Sequence, residues 1–319
     1  MIFEKQILNL YKSMMHQRCD DIETVFYFSS DSFEGLQKTP HSFKSSKNHT
    51  LNGYFYQYDN PIPNRLIVFD HGFGGGHRAY MKEIELLCKH GYKVFSYDHT
   101  GCMESEGETP NGLAQSLCDL NDCITMLKSH EIYSSYDISV MGHSWGAFST
   151  LNITALHPEI SHIVAMCGFV SVDEMIGTFF PGILKGYRKT IVEFERQCNP
   201  RFIEFNSLES LSNSNVKALL IYSEDDQMCK KVHYDILKNG LEDKKNVKFL
   251  LAQNKGHNPN YTENAVKYLQ EFSKKRAKLA RNKKATREEK LLFISSFDWN
   301  KMTEQDEAVW NEIFKHLDS

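Results

Sequence analysis

Residues 142–146 read Gly-His-Ser-Trp-Gly, between the apolar run Asp137–Met141 and a helix-like stretch that begins at Ala147. A chain that leaves a buried strand and enters a helix within so few residues must turn sharply. Glycine at 142 and 146 has no Cβ, so strand and helix can approach each other around Ser144. Such a turn holds the serine in a strained backbone conformation and pushes its Oγ out above the sheet. The amide of Trp145, one residue on, then points to where a substrate oxyanion would form. The pentapeptide alone is a common pattern, and a plain glycine-rich turn is its rival. Its place at a strand-to-helix junction gives it weight.

Two further strand ends carry residues of the kind a nucleophilic serine needs. Arg65–Phe69 is a short apolar strand followed by Asp70-His71-Gly72-Phe73-Gly74-Gly75-Gly76-His77. Its glycines let the main chain come close to a ligand, and the amide of Phe73 would pair with that of Trp145 as an oxyanion hole. A phosphate-cradling loop does not fit, because His77 stands where the last glycine of Gly-x-Gly-x-x-Gly would be. Val216–Tyr222 is a buried-strand pattern ending in Ser223-Glu224-Asp225-Asp226-Gln227. Acids at the carboxyl end of a parallel strand face the site crevice. Asp226, three residues past Ser223, is the preferred acid, Asp225 comes second, and Glu224 reads as a solvated turn residue.

Val247–Leu251 is the last strand, and Asn254-Lys255-Gly256-His257-Asn258-Pro259 is its loop. A lone loop histidine is usually a solvated side chain, but His257 completes the order Ser, Asp, His. Its neutral imidazole could take the proton of Ser144 and return it to a leaving group. His143 adjoins the serine, with its side chain expected to point away. His71 belongs to the glycine-rich loop and His99 to another strand end. His71, Gly72, His143, Phe179 and Phe180 are the candidate substrate contacts.

With these motifs assembled, the chain resembles the α/β-hydrolase superfamily, and within it the group of monoacylglycerol lipases and serine aminopeptidase-like hydrolases. The resemblance rests on His71–His77, Asp98–Gly107, Gly142–Gly146, Asp226 and His257, and covers about residues 22 to 272. The segment from Asp98 resembles the group's Asp-x-x-Gly-x-Gly-x-Ser-x-Gly loop, with Met103 in place of the middle glycine. The resemblance implies a mainly parallel sheet with helices on both faces and a small helical cap insert. It also implies a serine hydrolase cleaving carboxylic esters through an acyl-enzyme, with Ser144, His257 and Asp226 as its triad. Small or medium apolar acyl esters, or monoacylglycerols, are the expected substrates. Aminopeptidase, thioesterase and acyltransferase share the machinery, and a catalytically silent ligand-binding protein is the alternative outside enzymes. An aminopeptidase would need an acid for the substrate amine, with Glu174 or Glu195 as candidates.

Composition bounds the rest. The 319 residues suffice for one large α/β domain, and a formal charge of −4 gives no pull toward nucleic acid. No apolar run is long enough to span a membrane, and the amino terminus has no signal pattern. Eight scattered cysteines without a Cys-x-x-Cys pair read as reduced thiols of a cytoplasmic protein rather than a disulfide frame or zinc site. No metal or cofactor is expected.

Strand and helix patterns alternate through most of the chain. An amphipathic helix opens it (Ile2, Ile7, Leu8, Leu10, Tyr11), and Asp21–Ser29 and Leu51–Tyr58 alternate like antiparallel edge strands. Residues 1–168 and 215–272 are expected to form the core and residues 169–214, rich in aromatics, a helical cap that lines an apolar pocket. Residues 273–319 form a basic linker (Lys274 to Lys290, including Lys283) and a helical extension carrying Trp299, Trp310, Ile313 and Leu317. That extension suits docking on the main domain or a homodimer interface, and the sequence leaves both open.

Overall fold

A computed structural model describes residues 3–20, 23–282 and 284–319. Ile2, Asp21 and Lys283, which enter the expectations above, lie outside the described residues. In chain order the elements are α1 (Glu4–Met15), β1 (Gln37–Lys44), β2 (Thr50–Gln57), β3 (Arg65–Asp70), α2 (Met81–Lys89), β4 (Lys93–Tyr97), α3 (Gln115–Ser129), β5 (Asp137–His143), α4 (Trp145–Asn152) and β6 (His162–Met166). There follow α5 (Val172–Phe179), α6 (Arg188–Cys198), α7 (Ser207–Ser212), β7 (Lys217–Ser223), α8 (Lys231–Gly240), β8 (Val247–Ala252), α9 (Glu263–Arg281), α10 (Arg287–Ser295), α11 (Trp299–Met302) and α12 (Glu307–Leu317).

The eight strands form one sheet in the order β1-β2-β4-β3-β5-β6-β7-β8. β1 and β2 pair antiparallel at one edge, β2 meets β4 antiparallel, and the rest are parallel. Central strands β3, β5, β6 and β7 are buried along almost their whole length, as parallel strands covered on both faces must be. Val68, Val140, Ala165 and Leu220 face the layer that holds Leu117, Phe148 and Leu237 of α3, α4 and α8. Ile67, Phe69, Met141 and Val164 face the opposite layer, which holds Ile84 and Leu87 of α2. The strand order reverses beside β3, because the chain moves outward to β4 and returns to β5. Asp70 at the end of β3 stands opposite Gly142 of β5, so the loops that leave these two strands share one crevice.

Two expectations need correction. Val25–Ser29 forms no strand; Phe26 and Phe28 contact each other and the aromatic rings of Trp299 and Phe33. Alternation reported two-sidedness there, not a ladder. The edge strand is Gln37–Lys44, whose residues are nearly all exposed, so it lacks the apolar alternation that would announce it. Its Pro40 is tolerated because an edge leaves one side of the strand unpaired.

Between β6 and β7 the chain is helical. Tyr11 of α1 is buried near Phe180 and Phe194, so the amino-terminal helix packs on this insert. Its last helix, α7, is tied to α4 behind the serine: Asn152 Nδ2 donates to Ser207 Oγ at 3.0 Å, and Ser210 Oγ donates to Asn152 Oδ1 at 2.8 Å. The carboxyl-terminal extension docks on its own sheet. Trp310, Ile313 and Leu317 of α12 are buried with Ile67, Phe69, Met141 and Val164, and Arg65 Nη2 donates to the Leu317 carbonyl at 2.6 Å. No helix among the described residues is long and apolar enough to cross a membrane.

Candidate active site

Ser144 joins β5 to α4 with φ 56° and ψ −111°, a left-handed region that costs a non-glycine residue about 1–3 kcal/mol. Two glycines make this turn sterically feasible. A Cβ on Gly146 would lie 2.1 Å from the Asp70 carbonyl oxygen, and one on Gly142 would lie 2.3 Å from Thr150 Oγ1. The Ser144 amide donates to the Met166 carbonyl at 2.8 Å and fixes the turn on β6. Its neighbours from Met141 to Thr150 are buried, and Ser144 alone among them is partly exposed.

Asp226 and His257 come together at the ends of β7 and β8. His257 Nδ1 lies 2.8 Å from Asp226 Oδ2, and Asp226 Oδ1 accepts from the amides of Met228 at 2.7 Å and Cys229 at 3.1 Å. Asp226 is buried, whereas the His257 side chain keeps 22% of its exposure. Asp225 has a different task. Its Oδ1 accepts from Ser223 Oγ at 2.6 Å and from the amides of Lys255 and Gly256 at 3.1 and 3.0 Å, which clamps the loop carrying His257. Burial would raise its pKa, but the Ser223 hydroxyl and those amides outweigh burial and hold it below the usual value.

The Ser144 hydroxyl lies beside the buried thiol of Cys229. Among the described residues no hydrogen bond joins it to His257. The amides of Phe73 and Trp145 have no acceptor among the described residues, and the Phe73 and Trp145 rings pack edge to face at 5.3 Å. Trp145 opens α4, so its N–H precedes the helical ladder and points out of the helix end. Gly74 and Gly76 have φ of 109° and 62°, and a Cβ on Gly76 would lie 2.5 Å from Asp98 Oδ1. Met103, which replaces the expected loop glycine, keeps a left-handed φ of 44°.

The histidines singled out as substrate contacts turn into the protein instead. His143 Nε2 lies 2.6 Å from the His257 carbonyl oxygen, and its Nδ1 lies 2.8 Å from the Tyr80 hydroxyl. Burial first, and then His257, push its pKa down to about 3, so the ring is neutral. A carbonyl can only accept, so Nε2–H donates to it and Nδ1 accepts from Tyr80. The Tyr80 oxygen accepts in turn from the Gly72 amide at 3.1 Å. One chain of hydrogen bonds therefore links the glycine-rich loop to the backbone of His257. His71 is fully buried and neutral, its pKa pushed down to about 3 by burial. Its Nε2 accepts from the His99 amide at 2.9 Å, and its Nδ1–H donates to the Gly72 carbonyl at 2.7 Å. Phe180 is buried near Tyr11, and Phe179 is partly buried against the core.

Beneath the site lies a buried ion cluster with no signature in the sequence. His99 Nε2 stands 3.0 Å from Asp70 Oδ1, out of line for a hydrogen bond, and its Nδ1 stands 3.3 Å from Asp119 Oδ2. Burial would lower the His99 pKa, but the two carboxylates raise it to about 10. All four carboxylate oxygens are engaged: Tyr97 donates to Asp70 Oδ1 at 2.9 Å and Ser149 Oγ to Asp70 Oδ2, while the Thr100 amide donates to Asp119 Oδ2 at 2.8 Å and Gln115 Nε2 to Asp119 Oδ1 at 2.7 Å. A buried cation paired this fully fixes the ends of β3 and β4 under the glycine-rich loop.

The acids considered for a substrate amine both have protein partners. Glu195 is fully buried and accepts from Tyr11 Oη at 2.6 Å and the Leu113 amide at 2.6 Å, with His16 Nε2 at 2.9 Å. Glu174 pairs with Arg188 at 2.9 Å. Among the described residues, two groups could offer three metal-ligand atoms within 4.8 Å: Cys167, Asp226 and His257, and Cys118, Asp119 and Asp122. Burial raises the Cys167 thiol well above its usual range and the Cys118 thiol to about 11, so both are protonated at neutral pH.

The carboxyl-terminal extension braces the His257 loop. Lys255 Nζ reaches Asp306 Oδ2 at 2.5 Å and the Tyr261 carbonyl at 2.8 Å, and the Asp306 amide donates to the Asn260 carbonyl at 2.7 Å. Asn260 Nδ2 donates to the buried Glu83 at 2.9 Å.

The model of the family described as serine aminopeptidase, S33, matches residues 61–255 of the 319. The chain belongs to that family. It is thus an α/β-hydrolase, as strand order and elbow geometry also indicate. The uncharacterized protein YqkD of Bacillus subtilis is 25% identical over 299 residues, which cover 85% of this chain and 90% of that one. A putative carbamate hydrolase, RutD, of Agrobacterium fabrum is 24% identical over 140 residues, covering 43% of this chain and 51% of that one. Among solved structures, the Pyrococcus furiosus esterase Pf2001 aligns with a TM-score of 0.59 at 21% identity, covering 81% of this chain and 96% of the esterase. At that identity the likeness speaks for the fold alone.

Proposed function

We propose that this α/β-hydrolase cleaves carboxylic esters through an acyl-enzyme on Ser144. The observation that carries the reading is the left-handed Ser144 turn at the end of β5, beside two amides without acceptors among the described residues and near a buried carboxylate that orients a partly exposed imidazole. In the first step Ser144 Oγ turns from Cys229 to His257 Nε2, gives up its proton there, and bonds to the ester carbonyl carbon. Asp226 holds the imidazolium through Nδ1–H. The amides of Phe73 and Trp145 take the oxyanion, His257 protonates the departing alcohol, and water then releases the acid by the same route.

Esters of small or medium apolar acids, or monoacylglycerols, fit a site edged by Phe73 and aromatic neighbours. The aminopeptidase reading is less supported, because Glu195 and Glu174 are both occupied by protein groups and neither is left to hold a substrate ammonium. The test is a panel of p-nitrophenyl esters of increasing chain length beside aminoacyl anilides and acyl thioesters, run on wild type and Ser144→Ala. Ester turnover that the variant abolishes supports the proposal. Preference for anilides, or full activity in the variant, refutes it.

A further inference from the structure

Beside the glycine-rich loop lies a cavity of about 320 Å³ that the mechanism above does not use. Phe73, Gly74, Tyr80 and Asn258 are among its lining residues, so it adjoins the oxyanion loop and the residue after His257. A larger cavity of about 540 Å³, between Ala155 and Phe205, is lined by no residue of Ser144's surroundings. Other walls of the smaller one come from Phe26 and Phe28 before β1 and from Phe272 and Trp299 of α9 and α11. Those walls lie outside residues 61–255, the part that the family model matches.

Its lining mixes aromatic rings with the polar side chains of Asn258, Ser273 and Thr303, contains no carboxylate among the described residues, and includes two cations, Arg78 and Arg276, the second of which donates from Nε to Thr24 Oγ1 at 2.9 Å. Arg78 follows Gly76 by two residues, on the turn that ends the oxyanion loop, so its place relative to Phe73 is fixed. Its guanidinium is partly buried and forms no ion pair with a described residue; its one hydrogen bond among the described residues is to the Tyr27 carbonyl, 3.5 Å from Nη2. Arg78, partly desolvated beside aromatic walls and without a counter-ion among the described residues, is matched by an anionic ligand group that can pair with its planar fork.

We propose that this cavity receives one arm of the substrate, and that the arm is an apolar or aromatic group ending in a carboxylate held by Arg78. The inference rests on the assignment of Ser144 as nucleophile and, among carboxylic esters, favours anionic ones over the neutral apolar esters and monoacylglycerols named above. The carboxylate can sit on the acyl side or on the alcohol side, and the cavity's place beside the oxyanion loop serves both. Two substrate pairs separate them: mono-p-nitrophenyl adipate against p-nitrophenyl hexanoate, and 4-acetoxyphenylacetate against 4-acetoxyphenylacetamide.

In wild type, at least one anionic member should exceed its neutral partner tenfold or more in kcat/KM. Arg78→Gln should reduce that anionic-to-neutral ratio at least tenfold, chiefly through KM, and Arg78→Lys should keep part of it. Fluorophosphonate labelling of the same samples reports Ser144 independently and shows that each variant is folded. Normal labelling with no anionic preference, or with a ratio that Arg78→Gln leaves unchanged, overturns this inference and leaves the esterase reading standing. Absence of labelling in wild type overturns both.

Discussion

Glutamine at position 83 should remove a pH dependence of stability that glutamate imposes. Glu83 lies on α2 and is fully buried against the His257 side of the molecule, where it accepts from Asn260 Nδ2 at 2.9 Å and Gln305 Nε2 at 3.3 Å. Burial raises its pKa from 4.5 to about 7, against the opposite pull of these amides. The folded state therefore binds a proton more tightly than the unfolded chain. The stability this contributes is complete below about pH 4.5, falls as pH rises, and is gone above about pH 7. At about 1.4 kcal/mol per unit, the change across the window is about 3 kcal/mol. For a chain of this size that corresponds to roughly 5 °C in Tm. Thermal or urea unfolding of wild type and Glu83→Gln, measured at steps from pH 5 to pH 8, isolates the effect, because every other group titrates in both. The wild-type Tm should fall relative to the variant by several degrees toward pH 8. Parallel curves would refute the burial argument.

Other outcomes follow from the packing of the site. Asp226→Asn should lower kcat by about 10³–10⁴ by losing the carboxylate that orients His257, whereas Asp225→Asn keeps an acceptor for the loop amides and should cost about tenfold or less; steady-state ester hydrolysis compares them. Gly146→Ala sets a Cβ 2.1 Å from the Asp70 carbonyl oxygen and should destabilise the fold by about 3 kcal/mol or more, read from denaturant midpoints. Lys255→Met removes the brace to Asp306, a pair neither fully exposed nor fully buried. It should cost about 2 kcal/mol and lower kcat more than it changes KM, because the His257 loop loses its anchor.

The sequence carried the strand ends well, because a parallel central strand is a continuous apolar run and the residue after it has little freedom of place. That is why Ser144, Asp226 and His257 could be singled out from three separate loops, and why Phe73 and Trp145 followed as backbone donors. It was weaker on what side chains do once placed. The role of His143 depends on Tyr80, 63 residues away, and no local pattern encodes that meeting. Asp225 and Asp226 are neighbours with the same chemistry, and only the turn that follows β7 sends one to the imidazole and the other to the loop amides. At the edges, amphipathic pattern stated that a face is buried but not against what. It turned Phe26 and Phe28 into a strand that does not form, and it left the destination of Trp310 and Ile313 open. The exposed β1, with its Lys, Thr and Pro, had no apolar signal to read.

The assignment of Ser144 as a nucleophile activated by His257 is tested most directly by intact-mass and peptide mapping after brief exposure to a fluorophosphonate. The account predicts one adduct, on Ser144, absent in Ser144→Ala and slowed at least a thousandfold, about the scale of a lost general base, in His257→Ala. An adduct on another residue, or a rate that His257→Ala leaves unchanged, would contradict it.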